Sequence, residues 1–306
     1  MASVDRLKAG VALSGVEKRD TAARARGDAP HDRPAAGPRS WAGAFSCPWP
    51  TAPPSGFVCA VTNDAAPDSQ HNRLYFRQLL AGRDFAVGDP IATQMMNFVY
   101  AIGDTVTKEC VLVDPCYAVS ELLKVCENDG YRVTGALATH YHPDHVGGDM
   151  YGHSLQGVRE LLTKCSCKVH ANKHEAPWIT RVTGCSQSDL ALHESGDVLK
   201  VGEIPITLIH TPGHTPGSQC FLVQDKLVSG DTLFLQGCGR TDLPGGNPRD
   251  LYLSLTQKLS KVPDSTVLYP GHLYDPRPFA KLGDTRKTNY VFQPRTERDW
   301  MDQFGS

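Results

Sequence analysis

From about Leu74 onward, apolar residues recur in short blocks separated by polar turns. Asn97-Phe-Val-Tyr-Ala-Ile-Gly-Asp104 and Glu109-Cys-Val-Leu-Val-Asp-Pro115 are runs of strand length, ended by a Gly-Asp turn and by a proline. Residues 119–125 carry Leu122, Leu123 and Val125 at near-helical spacing, and Asn128-Asp-Gly130 closes that helix. Gly135-Ala-Leu-Ala-Thr139 and Lys168-Val-His-Ala171 fit short buried strands. Residues 198–209 alternate in parts around a turn at Gly202-Glu203, which predicts a hairpin. Gln219-Cys-Phe-Leu-Val223 and Lys226-Leu-Val-Ser229 predict a second hairpin turning at Gln224-Asp225. A helix over residues 251–259 and a last strand at Thr266-Val-Leu-Tyr269 complete the pattern. Paired strands interleaved with helices predict an α/β protein whose sheets need helical covers.

The first 60 residues break this texture. Arg24, Arg26, Arg33 and Arg39 are spaced among Pro34, Pro38, Pro48, Pro50, Pro53 and Pro54. So little apolar surface cannot offset the entropy of ordering, so residues 1–60 are expected to be a disordered extension and residues 61–306 the folded domain. The Arg and Ala content also suits a transit peptide, although Asp5, Glu17, Asp20, Asp28 and Asp32 count against one. An intracellular, cytoplasmic location is expected, with mitochondrion or plastid as the alternative.

A net charge of −2 supplies no basic field, so nucleic acid and membrane surfaces are not expected partners. No apolar run is long enough to span a bilayer. Ten cysteines without a C-x-x-C pair are expected as reduced, buried thiols.

The chemistry concentrates in Thr139-His-Tyr-His-Pro-Asp-His-Val-Gly-Gly148. A strand ending in His-x-His turns alternate side chains to one face, so His140 and His142 can share a metal ion. Asp144 and His145 follow on the turn into the next helix, within reach of a second ion, and Gly147 and Gly148 are expected where that helix starts. Three further polar groups end apolar runs: His214 between two Pro-Gly turns in Thr211-Pro-Gly-His-Thr-Pro-Gly-Ser218, Asp231 in Ser229-Gly-Asp, and His272 in Tyr269-Pro-Gly-His. One convergent edge accounts for all of them. His31, His71, His153, His170, His174, His193 and His210 have no comparable setting.

In this order, His140-x-His142-x-Asp144-His145, His214, Asp231 and His272 resemble the ligand motifs of the metallo-β-lactamase superfamily, over about residues 75–290. The resemblance implies an αββα sandwich with two packed mixed sheets and helices on the outer faces. It implies two divalent metal ions, zinc above all: His140, His142 and His214 on one, Asp144, His145 and His272 on the other, Asp231 between them. A metal-bound hydroxide would then attack a carbonyl, with Asp144 orienting it and moving a proton. Asp114, at another strand end, is a candidate partner for a ligand histidine or a plain turn residue.

Within the superfamily, Gly237-Cys-Gly-Arg-Thr-Asp242 after Asp231 is similar to glyoxalase II-like thioester hydrolases and to persulfide dioxygenases. The hydrolase reading implies a small ester or thioester, with a glutathione-linked one as the candidate. The dioxygenase reading implies one Fe(II) at His140, His214 and Asp231 and glutathione persulfide as substrate. Pro270-Gly-His-Leu-Tyr-Asp-Pro276 departs from the dioxygenase pattern and favours the hydrolase. Arg240 is the candidate cation for an anionic substrate, or else the partner of Asp242 or Asp225. Tyr274 is a candidate wall of the pocket. A non-catalytic binding protein on the same fold is the third reading, and the oligomeric state is left open.

Overall fold

The structure, a computed structural model, describes residues 73–305. The readings of residues 1–60 as an extension or transit peptide lie outside these residues.

Fourteen strands follow in chain order: β1 Leu74–Leu80, β2 Phe98–Asp104, β3 Glu109–Val113, β4 Arg132–Leu137, β5 Gly148–Met150, β6 His153–Leu155, β7 Lys168–Asn172, β8 Leu190–His193, β9 Val198–Val201, β10 Ile204–His210, β11 Gln219–Val223, β12 Lys226–Gly230, β13 Val267–Pro270 and β14 Ala280–Lys281. One six-stranded sheet has the order β1-β2-β3-β4-β7-β8 and the other β14-β13-β12-β11-β10-β9, while β5 and β6 form a separate hairpin.

The strands look uniformly apolar because both of their faces are buried. In β2, Phe98, Tyr100 and Ile102 point between the sheets, where they meet Ile206, Leu208, Phe221 and Val228 of the second sheet. Val99 and Ala101 point the other way, onto Leu122 and Cys126 of the helix Val119–Asn128 and onto Leu161 and Ile179 of two further helices. The second sheet does the same: Phe221 faces inward, while Cys220 joins Leu251, Leu255, Leu282 and Trp300 on the outer side. Side chains alternate with period two, so one strand serves two compartments. Each fully buried Leu, Ile or Phe contributes about 1.5–3 kcal/mol. The result is the αββα sandwich.

Parallel pairing gathers the strand ends that matter. Strands β10 and β12 both run antiparallel to β11, and β13 runs parallel to β12, so all three end on one edge. In the first sheet β3, β4 and β7 are parallel. Gln219 locks the two sheets there: its amide donates to the Thr139 carbonyl at 3.0 Å and its side-chain Nε2 to the Ala138 carbonyl at 2.9 Å.

Two expectations need correction. Gly147 and Gly148 do not open a helix; Asp144 and His145 lie within the one-turn helix Pro143–Val146, and Gly147, at φ 85°, ends it. Proline at the first helical position starts this turn earlier than the glycines suggested. The helix over residues 251–259 begins instead at Pro248, where the Asn247 side chain accepts from the amides of Arg249 and Asp250, and its regular part ends at Leu253. Among the described residues eight cysteines are free thiols, Cys110, Cys116, Cys126, Cys185 and Cys220 buried and Cys165, Cys167 and Cys238 half-buried.

Candidate metal centre

Four loops at the common edge carry the polar groups, each leaving the end of a strand: His140 to His145 after β4, His214 after β10, Asp231 after β12 and His272 after β13. His140, Asp144, His145, His214, Asp231 and His272 are buried, and His142 is half-buried.

The inward atoms form two groups. His142 Nδ1 lies 3.0 Å from His140 Nε2 and 3.0 Å from His214 Nε2. His145 Nε2 lies 3.2 Å from His272 Nε2, and Asp144 Oδ2 is 3.5 Å from each. Asp231 stands between the groups, with Oδ2 3.6 Å from His214 Nε2 and 3.4 Å from His272 Nε2, and Oδ1 3.5 Å from His145 Nε2.

The outward nitrogens decide what the inward ones can do. His214 Nδ1 meets the Arg240 carbonyl at 2.7 Å, and His272 Nδ1 meets the Met95 carbonyl at 2.7 Å. A carbonyl only accepts, so both Nδ1 atoms carry the proton and both Nε2 lone pairs face the site. His145 Nδ1 donates in the same way to Asp114 Oδ2 at 2.8 Å. Asp114 also takes the Thr139 hydroxyl at 2.6 Å, which leaves that oxygen to accept from His140 Nδ1 at 3.0 Å. One carboxylate thus reaches two imidazoles, His145 directly and His140 through the Thr139 hydroxyl.

These groups fit divalent cations. Asp231 Oδ1, facing the centre, is buried without a hydrogen-bond partner among the described residues, a costly arrangement for a site meant to stay neutral. Burial, reinforced by the neighbouring His145, His142 and His214, holds His140 well below the usual imidazole range, so it stays a lone-pair donor. At the other group burial again opposes charge, yet Asp144, Asp231 and Asp114 push His145 up to about 10. Carboxylates that demand a proton there would equally favour a metal ion.

Around this centre, Gly239 approaches so closely that a Cβ would fall 2.3 Å from the Asp231 carbonyl oxygen and 2.7 Å from His214 Cγ. That contact explains the glycine before Arg240. The Arg240 guanidinium pairs with both oxygens of Asp242, at 2.7 and 2.5 Å, on the exposed rim, while Asp225 pairs with Lys226. Tyr274, about half exposed, stacks parallel on His272 with centroids 4.6 Å apart and meets the edge of Phe234. Burial pushes the Cys238 thiol up to about 12, so it stands beside the centre as a neutral thiol at neutral pH.

Two residues escaped the sequence reading. Asn97 Nδ2 stands 3.1 Å from Asp144 Oδ2, 3.3 Å from His145 Nε2 and 3.4 Å from His272 Nε2, and its Oδ1 accepts from the Tyr117 hydroxyl at 2.6 Å. Glu175, fully buried, accepts from the amides of Tyr141 and Gly217 and from the Thr215 hydroxyl. Of the histidines judged ordinary, His170 and His193 share a 2.8 Å contact and His174 stacks on His210, while His31 and His71 lie outside the described residues.

Relatives carry a consistent signal. The chain is 32% identical over 196 residues to "Persulfide dioxygenase ETHE1, mitochondrial" of Homo sapiens, covering 61% of this chain and 70% of that protein. It is 36% identical over 180 residues to the hydroxyacylglutathione hydrolase of Rhodopseudomonas palustris, covering 58% of this chain and 63% of that enzyme. The crystal structure of ETHE1 from Myxococcus xanthus superposes with a TM-score of 0.62 at 27% identity, over 76% of this chain and 90% of that one. Residues 92–272 match the family described as the metallo-beta-lactamase superfamily. With more than half its length matched and its strand ends converging as described, the chain belongs to the metallo-β-lactamase superfamily.

Proposed function

We propose that this protein is a metal-dependent hydrolase of a small ester or thioester, glutathione-linked in the simplest case. The carrying observation is the pair of facing ligand sets. Nε2 lone pairs of His140 and His214 on one side and of His145 and His272 on the other are fixed by protons held outward, with Asp231 between. Under this reading His140, His142 and His214 would hold one zinc and Asp144, His145 and His272 the other, with Asp231 available to both. Bound divalent cations would supply a water of lowered pKa and polarisation of the scissile carbonyl.

The remaining work falls to side chains. Burial disfavours ionisation of Asp144, yet His145 and His272 hold its carboxyl below the usual range, so it can orient an attacking water and accept its proton. The Asn97 amide, turned by Tyr117, steadies that carboxylate at 3.1 Å. Tyr274 and Phe234 form an aromatic wall beside His272. Arg240 is offered on the rim to a carboxylate of the substrate that takes the place of Asp242.

A second reading, a mononuclear iron persulfide dioxygenase using His140, His214 and Asp231, is favoured by one observation. The Asn97 amide nitrogen lies within 3.4 Å of all three atoms of the second set, so its two N–H groups can satisfy two of these acceptors at a time without an ion. The likeness to the human persulfide dioxygenase supports it further. Elemental analysis of protein purified without added metal or chelator, paired with two assays, separates the readings. Two zinc ions with thioester cleavage support the hydrolase. One iron with oxygen uptake on glutathione persulfide overturns it, and neither metal nor turnover leaves a binding protein.

A further inference from the structure

The two loops that carry His140, His142 and His214 come from different sheets, and a single buried carboxylate joins them. Glu175 precedes the helix Ala176–Thr183, but its side chain does not cap that helix. Its Oε1 instead accepts from the Tyr141 amide at 2.7 Å and from the Thr215 hydroxyl at 2.8 Å, and its Oε2 accepts from the Gly217 amide at 2.7 Å. Tyr141 is the residue between His140 and His142, and Thr215 follows His214 directly.

The approach is built in. A Cβ on Gly217 would lie 2.4 Å from the Glu175 nitrogen and 2.6 Å from Oε2, so only glycine lets this loop close on the carboxylate. The same helix presents Trp178, which stacks on the Tyr141 ring at 4.9 Å, and the Tyr141 hydroxyl donates to the Pro244 carbonyl at 2.7 Å. Tyr141 is therefore held at its amide, its ring and its hydroxyl, and of these partners Glu175 also accepts hydrogen bonds from the His214 loop. A fully buried carboxylate is costly unless its hydrogen bonds are made, so the arrangement requires both loops to be in place together.

We infer that Glu175 is a positioning residue that clamps the His140–His142 loop to the His214 loop and so sets the spacing of the first metal position. This rests on the reading of those three histidines as ligands. Glu175→Gln keeps the size but presents an –NH2 to amide donors, so the clamp loses part of its acceptors. Zinc competition with a chromophoric chelator should then show affinity at this position lowered about tenfold, as for other residues that orient ligands from outside the coordination shell. Thr215→Val, which removes one donor and keeps the shape, should give a smaller loss in the same direction. The metal-free protein gives an independent measure: hydrogen exchange at the Tyr141 and Gly217 amides should quicken together in Glu175→Gln.

A merely structural Glu175 would lower the melting temperature and leave the zinc affinity of the folded protein unchanged, which overturns the inference. Unchanged exchange at both amides overturns it as well, even in a variant that folds and binds zinc normally. A wild-type protein that takes up no zinc at this position overturns the ligand reading instead, while the exchange measurement still decides whether the clamp exists.

Discussion

The Asp114 carboxylate accepts the Nδ1 proton of His145 at 2.8 Å, across 31 residues of sequence. Asp114 adopts a positive φ of 53°, which asparagine tolerates better than alanine, so Asp114→Asn is the variant that isolates charge from backbone strain. It should weaken metal binding by about ten- to a hundredfold and leave the fold intact, as read by metal titration and circular dichroism.

Removal of a ligand should act more severely. His140→Ala is expected to lower turnover by on the order of a thousandfold, since metal assistance is worth several kcal/mol. Full activity in that variant would end the metal mechanism. In the wild type, stripping the metal with a chelator should lower the melting temperature. An ion at about a thousand times its dissociation constant stabilises the native state by about 4 kcal/mol.

Asn97 offers a test of ion number. On the two-ion reading its amide steadies Asp144, and Asn97→Ala should lower occupancy of the second position, about tenfold in affinity. A rise from one bound ion to two in that variant would show that the amide holds the second position empty, and the dioxygenase reading would gain.

A pH-dependent contribution to stability lies far from the centre. Asp104 receives the Arg73 guanidinium at 2.5 and 3.2 Å and the amides of Glu203 and Val106 at 2.9 Å, and so ties the first sheet to the β9–β10 turn. Burial opposes its charge, but these donors hold its carboxyl at about 2. A folded pKa below the unfolded one means that the contribution is complete above about pH 4 and is lost as pH falls toward 2. Asp104→Asn should therefore cost about 2 kcal/mol at neutral pH. The gap to wild type, measured by urea unfolding, should close across that acid window.

Most of the frame was readable because its signals are local. The hairpins at Gly202-Glu203 and Gln224-Asp225 and the strand ends before His140 and His272 follow from turn chemistry and period-two burial. The convergent histidines were readable because four similar endings in one chain call for a common edge. Asn97 and Glu175 were not, because their roles depend on partners 40 or more residues away: Asp144 for the first, Thr215 for the second. Asn97 stood as the ordinary opening of a strand, and Glu175 was hidden in a polar interval. Helix starts were also misjudged, since Pro143 and Pro248 set them and the apolar pattern begins later.

One ring differs from its companions. His140, His145, His214 and His272 are each pinned at the outer nitrogen, whereas the outer nitrogen of His142 has no partner among the described residues, and this ring alone turns Nδ1 inward. Its Nδ1 meets the Nε2 atoms of His140 and His214 at 3.0 Å, and ring contacts with Tyr141, His140 and His214 hold the imidazole. An ion held here would thus meet one imidazole that packing alone orients, so its grip would rest on the neighbouring rings of Tyr141 and His214 as much as on hydrogen bonds.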